Sequence, residues 1–114
     1  MMPHDRLERR SLAMHQAMAN KLQAHPTLIS IAYDNLNRWG AVAGHRSQPY
    51  WDAWRRLLDG GFENLLAAMV EDSPRMTELR QSSPFAGVLE PKERWAVYDA
   101  YKSRTHHQSS GDHR

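Results

Sequence analysis

The residues of this 114-residue chain that could do chemistry are its seven histidines, the serine pair Ser82-Ser83 and a few neighbouring carboxylates. His106, His107 and His113 lie close together near the C-terminus, where they resemble a weak chelate. A structural metal site needs four converging ligands in tetrahedral geometry, and a polar tail without cysteine does not supply them. No metal is expected. His15 shares a helical face with Leu12, Met18, Ala19 and Leu22, which places it in the core as a hydrogen-bonded neutral ring. Ser82 and Ser83 precede Pro84 without the Gly-x-Ser-x-Gly setting of a hydrolase nucleophile, so backbone hydrogen bonding at a helix end is their expected work. Glu71-Asp72 and Glu90 with Glu93 fall at helix ends, where negative charge offsets the dipole or caps free N–H groups. No phosphate-binding glycine loop is present, and Gly60-Gly61 is a bare break. The chain is therefore expected to be no enzyme and to need no cofactor, and no small-molecule substrate is inferred.

Composition supports a single domain. Hydrophobic residues make up 40% and charged residues 25% of the chain, as in ordinary soluble proteins. Fifteen basic residues against 13 acidic ones leave a net charge of +2, too small an excess to argue for nucleic acid. The chain has no cysteine, which fits a reducing cytosol. There is neither a secretory h-region nor an apolar run approaching the ~20 residues of a membrane span. A cytoplasmic protein with no membrane partner is the expectation.

The elements that must position these residues are all helical. No stretch alternates with period two, whereas apolar residues recur at three/four spacing throughout. The first helix ends at His25, which Pro26 forces out of the α region. A second helix starts at Pro26 and carries Leu28, Ile29, Ala32, Leu36 and Trp39 to a stop at Gly40. After the glycine-containing stretch 40–48, Pro49 opens a third with Tyr50, Trp54, Leu57 and Leu58 on one side and Trp51 at its margin. Gly60-Gly61 precedes a fourth helix bearing Phe62, Leu65, Leu66, Met69 and Val70. Ser73 and Pro74 read as N-cap and first residue of a short fifth helix. Pro91 begins a sixth, with Trp95, Tyr98 and Tyr101 read as core. The expected architecture is an all-α, single-domain bundle of five to six short helices over residues 11–102, with a flexible segment 1–10, in which Asp5 onward can add a turn or two of helix, and a disordered tail 103–114.

The connector before the last helix is the exception to the usual rule that loops are polar. Pro84-Phe85-Ala86-Gly87-Val88-Leu89 either plugs the core or meets a partner, and with Arg80 and Arg94 flanking it, it forms a candidate recognition edge. Trp51 and Arg55 share a helical face and make a second candidate patch, because tryptophan and arginine dominate protein–protein hot spots. The partner-binding set is thus Trp51, Arg55, Arg80, Ser83, Phe85 and Arg94. A DNA-binding regulator is the alternative, with Arg55, Arg56, Arg75, Arg80 and Arg94 as phosphate contacts. Interspersed Glu71, Asp72, Glu78, Glu90 and Glu93 weigh against it.

Several segments together resemble a known family. They are His15-Gln16-Ala17 through Lys21-Leu22, Pro26-x-Leu28, Asn35-Leu36-x-Arg38-Trp39 and Trp51-x-x-Trp54-x-x-Leu57-Leu58. The closing stretch Leu79-Arg80-Gln81-Ser82-Ser83-Pro84-Phe85-Ala86-Gly87-Val88-Leu89-x-Pro91-x-Glu93-Arg94-Trp95 completes the pattern. Across roughly residues 11 to 98, the chain is similar to small bacterial all-helical proteins associated with toxin–antitoxin cassettes. That resemblance implies an antitoxin-like, non-enzymatic module that binds a cognate toxin. Because the polar tail lacks apolar anchors, the folded face is expected to do the binding.

Overall fold

The computed structural model describes residues 3–42 and 44–100. Helix α1 spans Pro3–Ala24. Its sequence is built from strong helix formers, without glycine or a β-branched residue, and its proline sits in the first turn where no N–H is needed. Residues 3–10 are therefore helical, a correction to the flexible lead expected there. The early turns are also held from outside: the Arg10 guanidinium lies 5.2 Å from the centre of the Tyr98 ring. At the other end, a 3₁₀ turn over Pro26–Leu28 reverses the chain into α2, Ile29–Gly40.

Helix α3 covers Gln48–Asp59 and α4 covers Phe62–Met69. Between them Gly61 adopts a φ of 114°, a conformation that L side chains rarely take. Helix α5 spans Pro74–Arg80, and the Ser73 hydroxyl caps it by accepting from the Met76 N–H. Residues 91–100 form the last described helix, α6. Here Glu93 reaches back to accept from the Glu90 N–H at 2.7 Å, the reciprocal half of a capping box. The same carboxylate takes a hydrogen bond from Lys21, tying α6 to α1. Among the described residues there is no strand, so the all-α bundle expected from the periodicity is what forms. The tail 103–114, with His106, His107 and His113, lies outside the described residues, as does Tyr101.

The core sits where α1, α3, α4 and α5 meet, with α2 closing one side against α3. Leu22, Leu36, Trp54, Leu65 and Met69 are fully or almost fully buried there, joined by Phe85 and Val88 from the connector. The connector is thus the core plug of the two readings. Phe85 packs edge-on against Trp54, with ring centres 5.3 Å apart. Gly87 permits this turn with a φ of 99°, and a side chain there would meet Ile31. Buried Asn35 secures the plug by donating to the Pro84 and Ala86 carbonyls at 2.8 and 2.9 Å.

Burial also overturns two expectations. Arg80 does not flank a surface: it is 5% exposed, and its guanidinium donates to the carbonyls of Met69 and Glu71. These carbonyls lie at the end of α4 and two residues beyond it, where backbone acceptors lack intrahelical partners and a cation is favoured. Burial lowers the Arg80 pKa while Asp72, Glu71 and Glu8 act to raise it, and the guanidinium remains charged. Trp95, expected in the core, is 65% exposed, and among the aromatic rings of the described residues it meets that of Tyr98, edge to face. Its helix is anchored instead through Glu93 and Tyr98, which leaves position 95 on the outer face.

Candidate functional site

Two constellations bring polar or aromatic groups together near the connector. The first is a Ser83–His15 pair. Helix α1 points His15 into the core, where it is 4% exposed, stacked on Trp54 and edge-on to Phe85. Its Nδ1 lies 2.8 Å from the Ser11 carbonyl, one turn earlier on the same helix. A carbonyl can only accept, so Nδ1 carries the proton and Nε2 is the acceptor. The Ser83 hydroxyl then donates to Nε2 at 2.8 Å.

A hydroxyl and an imidazole at that distance have the geometry of a nucleophile and its base. They lack the electrostatics. The group behind the ring is a carbonyl rather than a carboxylate, so nothing anionic would stabilise an imidazolium. Burial pushes the His15 pKa down to about 4, and the charge of Arg80 adds to that, against the opposing hydrogen bond to Ser11. A ring that resists protonation this strongly is a poor general base at neutral pH. The pair serves as a clamp joining α1 to the connector, and it satisfies the polar atoms that burial would otherwise strand.

The second constellation is an open groove of about 530 Å³ that Ser83 also lines. It is lined by Arg38 and Trp39 from the end of α2, by Val42, His45 and Ser47 from the following loop, by Trp51 from α3, and by Gln81, Ser82 and Ser83. Trp51 packs against two rings, Trp39 at 5.6 Å and His45 at 4.8 Å between centres. His45 is oriented in turn by the Ser47 N–H, which donates to its Nδ1 at 3.0 Å. The neutral ring therefore carries its proton on Nε2. Val42 is 56% exposed at the rim. Arg38 is exposed, and one of its terminal nitrogens donates to Asn35 Oδ1, which fixes the guanidinium beside the groove.

Of the six residues expected to bind a partner, the groove collects two, Trp51 and Ser83. Arg55 is half-buried and donates to Asn37 Oδ1 at 2.8 Å, binding α3 to α2. Arg94 is exposed on α6. Phe85 and Arg80 are withdrawn into the interior, so no Arg80–Arg94 edge exists. Trp39, His45 and Arg38 were missed as a group. The recoverable signal was the tryptophan placed just before a glycine-containing loop that leads back to a second tryptophan. Among the described residues, no three side chains of metal-ligating type converge, and no helix is long and apolar enough to cross a membrane.

Comparison of the chain with protein-family models, with characterised proteins and with solved structures finds no match. The resemblance to antitoxin-like proteins gains no support from these comparisons.

Proposed function

We propose that the chain is a non-enzymatic module that binds another protein, and that the Trp39–His45–Trp51 groove is the centre of its contact face. The observation that carries this reading is Trp51, a large side chain left half-open yet packed against two rings. A residue pre-ordered in this way loses little rotamer freedom on association, which is where much of the cost of binding lies. Tryptophan and arginine are also the side chains from which hot spots are built, and Arg38 stands at the same rim. The electrostatics of the Ser83–His15 pair speak against hydrolytic chemistry next to the groove. That the partner is a toxin encoded beside this protein is the narrower form of the proposal, and it rests on the resemblance alone.

The test is affinity purification of the tagged chain from its native host at low and high salt, beside a Trp51→Ala variant whose fold is checked by circular dichroism. A stoichiometric partner that survives high salt and is lost from folded Trp51→Ala supports the reading. A partner retained by Trp51→Ala moves the contact face elsewhere. Nucleic acid released by salt, with no protein partner, replaces the reading with a DNA-binding regulator, whose phosphate contacts weaken steeply as salt rises.

A further inference from the structure

Among the described residues, the lining of the groove contains no carboxylate. Its ionisable side chains are Arg38 and His45, and the remaining polar ones are serines and a glutamine. Asp52, the acid on α3 nearest to Trp51 in sequence, is exposed and accepts from Gln48 at 2.9 Å. From these observations we infer that the groove takes an acidic segment of a partner protein. A bulky apolar side chain of that segment seats against Trp39, Trp51 and Val42, and an adjacent carboxylate meets Arg38 and His45. This inference rests on the protein-binding reading and specifies its partner.

The donors are arranged for such an occupant. A guanidinium has five N–H donors in a planar fork suited to carboxylates. Arg38 engages Asn35 Oδ1 through one terminal nitrogen, which orients the fork and leaves further N–H groups for an incoming acceptor. His45 offers Nε2–H, because its other nitrogen accepts from Ser47. The apolar share of the wall is two indole rings and an exposed valine. At about 530 Å³ the groove lies within the roughly 300–1,000 Å³ span of sites that enclose compact ligands. A nucleic-acid backbone fits less well, since duplex binding draws on many cations and this lining has one arginine.

The four tryptophans make the test site-specific, because two line the groove, Trp54 is buried and Trp95 is exposed on α6. The ¹⁵N-labelled full chain is titrated with acetyl-Glu-Phe-Glu-Leu-Glu-amide and with the same peptide carrying glutamine for every glutamate. Indole signals are assigned with single Trp→Phe variants. The Trp39 and Trp51 signals should shift saturably with a Kd on the order of 1 mM, while those of Trp54 and Trp95 stay in place. The glutamine peptide should bind about three- to five-fold more weakly, the range expected of an ion pair at an open rim. Arg38→Gln should abolish that preference without moving the Trp54 signal. Equal binding of the two peptides, no saturable shift by about 10 mM, or shifts confined to Trp95 overturns the inference, as do groove shifts that appear on concentrating the protein alone, which would make a second copy the occupant. If the inference fails while Trp51→Ala still loses a partner in the purification, the module reading stands and only the acidic segment is wrong.

Discussion

Lowering the pH from 7 to 4.5 should destabilise this protein through His15. Its folded-state pKa is about 4 against the ordinary 6.5. Above pH 6.5 both the native and the unfolded chain hold the ring neutral, so the residue contributes no pH dependence. As the pH falls from there towards 4, the unfolded chain takes up a proton that the native chain refuses, and stability drops. Full displacement is worth about 3 kcal/mol, of which about 2.5 kcal/mol is lost by pH 4.5. That is a large fraction of the total stability of a typical small domain. Urea denaturation followed by tryptophan fluorescence at several pH values measures it, and His15→Gln removes the titrating ring while keeping a hydrogen-bonding side chain. Every other titrating group cancels in the difference between the two proteins. The wild-type free energy should fall more steeply than that of the variant, with the gap narrowing by about 2–3 kcal/mol from pH 7 to 4.5. Parallel pH profiles would refute the assignment of His15 as a buried neutral clamp.

Other substitutions test the packing. Phe85→Ala should cost about 3–5 kcal/mol in chemical denaturation, the usual loss for emptying a fully buried aromatic site. Arg80→Met should cost about 1–3 kcal/mol, because it strands the Met69 and Glu71 carbonyls at the end of α4. Gly87→Ala should cost about 1–3 kcal/mol in the same assay, since it holds a side chain at a φ of 99°. Trp95→Ala should change stability by no more than about 0.5 kcal/mol, as expected of a substitution on an outer face.

Much of the fold was legible along the chain because helix formation and termination are local. Pro26, Pro49, Pro74 and Pro91, the Gly60-Gly61 break and the Ser73 cap are read from neighbouring residues, and each falls at or next to a boundary of a helical segment. The start of α1 is poorly marked because residues 3–10 are mostly polar, and a polar stretch gives little periodic signal even when it is helical. The candidate site was less legible. Trp51 and Ser83 were nominated, but nothing local distinguishes Arg80, which is buried against carbonyls 9 and 11 residues away, from Arg94, which faces solvent.

By itself, then, the sequence determined the helical class, the helix breaks and the burial of His15 on an apolar stripe, all of which depend on contacts within a few residues. Only the tertiary structure decided that the Pro84–Leu89 connector is a core plug rather than a recognition loop, since that depends on Trp54 and Asn35 arriving from two other helices. It also decided that His15 meets Ser83 across 68 positions of chain and that Trp39, His45 and Trp51 line one groove. Such meetings are set by how helices pack, through the summed burial of apolar surface from the whole chain, and no short window of residues contains that sum.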